Sequence, residues 1–169
     1  MALFKKRPAM PSGKRPVIMD IGFGHKSDFY KRARKSPGID HLGVDPSPQP
    51  LFWIGKKPGN AWVIRSHFEK LQGVPEGFAD MIRAEESIGY RGDTAAQTKQ
   101  AFRFLKPGGM MFVSGHGDMA KRLKEELRNA GFTDVSDRQL GPDEPASPWM
   151  ESFRSFGRPI LKVRGRKPK

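Results

Sequence analysis

Val17-Ile18-Met19-Asp20-Ile21-Gly22-Phe23-Gly24-His25-Lys26-Ser27-Asp28 is the stretch on which the fold turns. Val17 to Ile21 is almost unbroken apolar sequence, which suits a strand buried on both faces. Gly22 and Gly24 let the chain turn tightly and come close to a ligand, and Ser27-Asp28 offers an N-cap. Phe29 to Lys35 then reads as a basic helix, closed by Ser36-Pro37-Gly38. A second strand, His41-Leu42-Gly43-Val44, stops at Asp45-Pro46. Strand, glycine turn, helix and strand make a βαβ unit with a parallel pair, so the expected class is α/β.

Working outward, Ala61 to Ile64 and Phe78 to Ile82 are the next strand candidates, after a Pro- and Gly-rich loop over 46–60 that Leu51-Phe52-Trp53-Ile54 anchors. Thr94 is read as the cap of a helix through Leu105, with Ala101, Phe104 and Leu105 inward and Pro107-Gly108-Gly109 as its end. Met110 to Val113 is a fifth buried strand. Asp118 is read as the cap of an amphipathic helix with Met119, Leu123, Leu127 and Ala130 on its apolar stripe. Lys121 with Glu125 and Arg122 with Glu126 are candidate i,i+4 pairs, and Gly131 is a natural C′ residue. Phe132 to Leu140 and Pro159 to Val163 read as a final strand pair, separated by the aromatic and Pro-rich segment 141–157.

The chain has 169 residues, a length suited to one core. The expected organisation is a basic tail over 1–16, a domain over 17–163 and a second basic tail over 164–169. Lys plus Arg number 31 against 18 acids, a net charge of +13. Residues 1–16 and 158–169 together hold 11 of those cations and no acid, while the body between them is close to neutral. Cationic ends on a neutral body point to a polyanion, with nucleic acid as the expected partner. Lys5, Lys6, Arg7, Lys14, Arg15, Arg164, Arg166, Lys167 and Lys169 are the expected nucleic-acid contacts; the plainer reading of the same charges is solubility. The absence of Cys excludes a disulfide framework and a thiolate zinc site, and no metal is expected. No apolar run approaches the ~20 residues that cross a bilayer. The basic amino terminus lacks the apolar core of a secretory signal, so cytoplasmic is the default location.

The chemistry concentrates at the first turn. Asp45 closes the second strand 25 residues after Asp20, where a carboxylate can accept both hydroxyls of a ribose. Two turn-forming or capping Asp residues are the structural alternative.

Asp20-Ile-Gly22-Phe-Gly24, Gly43-Val-Asp45-Pro46-Ser47 and Leu105-Lys-Pro-Gly-Gly109 resemble, in order and spacing, three motifs of the class I S-adenosylmethionine-dependent methyltransferases. The resemblance runs from Val17 to Gly131. It implies a Rossmann-like, mostly parallel sheet with a terminal antiparallel strand pair, and S-adenosyl-L-methionine as cofactor. It further implies Asp20 near the amino group of the methionine moiety, Asp45 and Pro46 at the ribose, and Ser66, His67 and Phe68 near the adenine. The family usually has Gly where Lys26 stands, so Lys26 is expected either to reach the cofactor carboxylate or to crowd it. Asp is usual where His67 stands. A nicotinamide-binding Rossmann domain is the rival, but its third Gly is replaced by Ser27.

Methyl transfer asks mainly for an acceptor held close and in line. Class I enzymes often place acceptor-binding residues after the fourth strand, here Arg83 to Tyr90. Glu85 and Glu86 are the candidate bases, Tyr90 could stack on a nucleobase, and His116 after the fifth strand could line the same cleft. The Ile-Gly-Phe-Gly wording and Asn60 to Leu71 are distantly similar to tRNA guanine-N7 methyltransferases. The expectation is therefore a methyltransferase acting on RNA. The alternatives are a small-molecule or protein methyltransferase, and a non-catalytic nucleic-acid-binding protein on a degenerate fold.

Overall fold

The computed structural model describes residues 10–23, 28–46, 57–85, 87–88, 93–141 and 160–169. Chain order is β1 (Val17–Ile21), α1 (Asp28–Lys35), β2 (Asp40–Asp45), β3 (Ala61–Arg65), a 3-10 turn (Phe68–Lys70) and β4 (Ala79–Glu85). It continues with α2 (Thr94–Phe104), β5 (Leu105–His116), α3 (Gly117–Asn129), β6 (Thr133–Gln139) and β7 (Ile160–Arg166). The seven strands form one sheet in the order β3-β2-β1-β4-β5-β7-β6. The first five in that order are parallel, while β7 runs antiparallel between β5 and β6. The expected α/β, Rossmann-like sheet with its terminal antiparallel pair is therefore present.

Alternation along the strands assigns the two faces. Met19, Ile21, Leu42, Val44, Ile82, Met111, Val113 and Val163 point to one side, into a single apolar cluster with Ala101 and Phe104 of α2 and Leu123 and Leu127 of α3. On the other side α1 lies over β1 to β3, where Phe29, Tyr30 and Ala33 pack with Ala61. Among the described residues no helix covers that second face over β4, β5, β7 and β6. One helix therefore serves one end of the sheet and two serve the opposite face.

Several local readings change. The N-cap of α2 is Asp93 and not Thr94: the Asp93 carboxylate accepts from the backbone N–H of Ala95 at 2.9 Å and of Ala96 at 3.2 Å. Thr94 is instead buried in the first turn. α3 starts a residue before Asp118, with His116 as N-cap and no side-chain cap bond. Lys121 faces Asp118 at 3.9 Å, and Lys124 bonds Asp137 of β6 at 3.0 Å; the anticipated pairs along the helix are replaced by these. Gly131 does follow the helix with φ +96°. β5 begins at Leu105, because Pro107-Gly108-Gly109 forms a bulge across which the ladder to β4 shifts register.

The largest change is at the carboxyl end. Arg164 and Arg166 lie inside β7, paired on both sides, so the chain remains in the sheet past the expected boundary at 163. Lys167 is tied down as well: its backbone N–H donates to Gly109 O, and its ammonium donates to Phe102 O and Leu105 O, each at 2.9 Å.

Candidate active site

β2 and β3 extend the sheet on one side of β1, and β4 returns on the other. This reversal puts a crevice at the carboxyl ends of β1 and β4, where ligands of open α/β sheets bind. Gly22 stands at that edge with φ +62°, a left-handed conformation that favours glycine. Its N–H donates to Val44 O at 2.8 Å, locking the turn to β2. A Cβ at Gly22 would fall 2.1 Å from Ser87 Cβ, and Ser87 Oγ donates to Ile21 O at 2.8 Å. Glycine is needed because the turn leaving β1 is crossed by the chain leaving β4. Phe23 swings back over β2, where its ring stands 4.9 Å from that of Phe29 and covers Gly43.

Asp20, the centre of the first motif, is 3 % exposed and already engaged. Arg83 Nε donates to its Oδ1 at 2.8 Å and Arg83 Nη2 to its Oδ2 at 3.0 Å, a bidentate fork. Arg32 Nη2 is 3.5 Å from Oδ1, and His41 Nδ1 is 3.6 Å from Oδ2. Burial by itself would push the Asp20 carboxyl up. His41, Arg83 and Arg32 outweigh it and hold the group below the ordinary carboxylate value. Ser36 Oγ donates to Arg32 O at 2.7 Å and meets His41 Nε2 at 2.9 Å, so the imidazole is held from behind.

Asp45 closes β2 at the same edge, 6 % exposed, and its carbonyl accepts from Ser66 N at 3.2 Å. Pro46 follows it and is exposed. His67 is exposed beyond β3, with Nδ1 3.8 Å from Glu69 Oε1. Phe68 faces away into the core, edge-on to Phe104 at 5.9 Å. Glu85 is the last residue of β4, in register with Ser114 of β5, and His116 ends β5. Gly24, Lys26, Glu86 and Tyr90 lie outside the described residues, as do Lys5, Lys6 and Arg7.

The structure thus brings Gly22, Asp45, His67 and Glu85 to one edge of the sheet. Arg15 is at the other: its Nη1 donates to Pro37 O at 3.0 Å and lies 3.9 Å from Asp40, at the start of β2. Lys14 is exposed beside it. Lys167 and Lys169 also follow β7 to this amino-terminal edge, next to Gly108. Arg83, Arg32 and His41 were not read as partners of Asp20. The available signal was a cation inside the apolar run Met81-Ile82-Arg83-Ala84, because a charge at the centre of a buried strand requires an opposite charge on a neighbour.

The donor set at the crevice fits part of the cofactor. Asp45 places a carboxylate at the end of β2, and the space beside Gly22 is taken by Ser87. Asp20 has both oxygens bonded to Arg83, a contact that joins β1 to β4.

The sequence model of the methyltransferase-domain family matches residues 19–113. Among solved structures, the chain is similar to phosphoethanolamine N-methyltransferase 2 of Haemonchus contortus, at 16% identity and a TM-score of 0.74 over 94% of this chain. This chain spans only 51% of that one, about half its length. A variant of the 16S rRNA (adenine(1408)-N(1))-methyltransferase from Catenulisporales acidiphilia, with its cosubstrate SAM, gives 18% identity and a TM-score of 0.70 over 91% of this chain and 86% of that one. The aminoglycoside resistance methyltransferase NpmB1 gives 21% and 0.68 over 92% and 89%. No curated protein sequence matches the chain. The chain belongs to the methyltransferase-domain family, with the fold of the class I S-adenosylmethionine-dependent enzymes.

Proposed function

We propose that this protein is an S-adenosylmethionine-dependent methyltransferase whose acceptor is RNA. The observation that carries the reading is the edge shared by Gly22, Asp45 and Glu85 at the β1/β4 reversal of a seven-stranded methyltransferase sheet. When bound, the cofactor supplies a methyl group already activated on a sulfonium. Asp45 would accept the ribose hydroxyls, and the turn through Gly22 would set the methionine end over β1. Glu85 and Glu86 are the bases proposed for an acceptor that loses a proton on methylation. Lys26 is proposed to reach the cofactor carboxylate from the turn, and His67 to face the adenine.

RNA is favoured as acceptor by the net charge of +13 and by cations that remain exposed on the folded body, among them Lys14, Arg164 and Arg166. The 16S rRNA enzyme among the structural neighbours adds to this; the phosphoethanolamine enzyme keeps a small acceptor as the competing reading. The test is transfer of a radiolabelled methyl group from S-adenosylmethionine to fractionated total RNA, DNA, protein and small metabolites. Label in the RNA fraction is the expected result. Label confined to protein or to small metabolites would replace the RNA reading, and no label in any fraction would remove the enzyme reading.

A further inference from the structure

The second face of the sheet carries rows of side chains that register places side by side. One row runs Asp20 (β1), Arg83 (β4), Phe112 (β5), Arg164 (β7), Ser136 (β6). The row nearer the cofactor edge runs Ser114, Lys162, Arg138, and the row farther from it places Met110 beside Arg166. Along β7, Lys162, Arg164 and Arg166 therefore alternate onto this face, about 6.7 Å apart.

Three cavities line up over these rows. One of about 250 Å³ is walled by Arg83, Phe112, Ser114 and Lys162. One of about 540 Å³ shares Phe112 and Lys162 with it and adds Ser136, Asp137, Arg138 and Arg164; the Asp137 carboxylate is already paired with Lys124 at 3.0 Å. A third of about 360 Å³ continues past Ser136 and Arg164 to Met110 and Arg166. Shared walls make them one groove that starts beside the end of β4.

The chemistry of the groove selects an anion. Among the described residues Lys162 has no ion-pair or hydrogen-bond partner for its ammonium, and Arg164 Nε donates to Ser136 Oγ at 2.8 Å. Arg83, which walls the inner cavity, shares the single carboxylate of Asp20 with Arg32. Asp134 offsets Arg166 only at 3.7 Å and at an exposed position. Ser114 is an independent observation: it is 2 % exposed, its hydroxyl has no hydrogen-bond partner, and it lines the innermost cavity. A buried hydroxyl without a partner is costly unless a ligand atom completes it. Phe112 supplies the apolar surface on which a base can stack.

We propose that this groove is the track for the acceptor strand. A backbone phosphate of single-stranded RNA would be held in the inner cavity by Lys162 and Ser114, and the next ones along β7 by Arg164 and Arg166. The proposal rests on the RNA reading above and adds to it where the strand lies. It displaces the termini as the main contact surface, since Arg15, Lys167 and Lys169 stand at the opposite edge of the sheet.

The test is fluorescence anisotropy of a fluorescein-labelled single-stranded 12-mer RNA on the full chain across a salt series, with melting curves for every variant. Lys162→Ala/Arg164→Ala should flatten the slope of log affinity against log salt by about 1.4, at about 0.7 per phosphate on a single strand, and weaken binding at least about tenfold near 0.1 M salt. Lys121→Ala/Arg122→Ala removes the same charge from α3 on the opposite face and should change the slope by less than half as much. Ser114→Ala should weaken binding a few fold with no change of slope, because it removes a hydrogen bond and not a charge. Should a groove variant fail to fold, Lys162→Gln carries the same expectation singly, at about 0.7. Equal loss of slope in the groove and α3 variants would overturn the track, as would an unchanged slope in the groove variant of a protein that methylates RNA. In the latter case the proposed function stands. If the full chain binds inorganic phosphate in the groove but not the 12-mer, the track and the RNA reading both fall.

Discussion

Asp20 is a buried carboxylate with two guanidinium groups and an imidazole around it, and its removal leaves those donors facing one another in the interior. Breaking a buried pair from one side typically costs about 3 to 5 kcal/mol, whereas replacing both partners with apolar residues is often near neutral. Asp20→Asn should therefore lower the urea unfolding free energy by about 3 kcal/mol, and Asp20→Leu/Arg83→Met should recover much of that loss. The carboxyl is held below its unfolded value, so its contribution is complete above the unfolded pKa and is lost as pH falls through the folded one. Unfolding measured from pH 6 downward should lose this increment only below about pH 4, and the double variant should show a shallower acid limb. Gly22 gives a second residue-scale expectation. Gly22→Ala places a methyl group against Ser87 with φ at +62°, so melting should drop by several degrees, and Ser87→Gly in that background should restore part of it. The need for glycine at 22 was legible from the motif. Its structural cause was not, because the atom that forbids a side chain comes from residue 87, across the β1/β4 boundary.

At the scale of elements, apolar runs and glycine turns marked out the strands, since burial on both faces leaves an unmistakable pattern in β1, β2 and the middle of β5. Boundaries were harder because they depend on partners. Asp93 wins the cap of α2 over Thr94 by one residue, and the cap of α3 falls to His116, whose side chain makes no cap bond. β7 was the costliest misreading. Its residues Ile160-Leu161-Lys162-Val163-Arg164-Gly165-Arg166 alternate toward an apolar face and a cationic one, and the cationic half of that alternation, taken alone, resembles a tail. Deleting 164–169 should consequently unfold the protein: it removes strand pairs on both sides of β7 and both Lys167 bonds to the end of α2. Circular dichroism should show loss of the cooperative melt, and retention of the full-length melting temperature would contradict the assignment.

For the whole molecule, charge and fold are two nearly separate messages. The motifs specify the sheet and its cofactor edge, while the cations expected at nucleic acid fall in three places: the groove face of β7, the amino-terminal edge of the sheet, and residues 5–7. Removing residues 1–9 takes away Lys5, Lys6 and Arg7, and the RNA salt slope should fall by less than about 1, below the roughly 0.7 per charge expected for Lys162 and Arg164. A larger fall would put the principal contact at the amino terminus. No helix among the described residues is long and apolar enough to cross a membrane. The proposed acceptor groove was less legible than the fold because a sheet face is assembled from several strands, and sequence order separates Arg83, Ser114 and Lys162 by dozens of residues.

The central claim is that the carboxyl edge of β1 and β2 holds S-adenosylmethionine, with Asp45 on the ribose. Isothermal calorimetry of S-adenosylmethionine against the full chain and Asp45→Ala tests it most directly. The account predicts one cofactor per chain, and binding at least about tenfold weaker in an Asp45→Ala protein that melts where the parent does, since each charge-assisted hydrogen bond is worth about 1.5 to 3 kcal/mol. No heat with the full chain, or equal affinity in the folded variant, would contradict it.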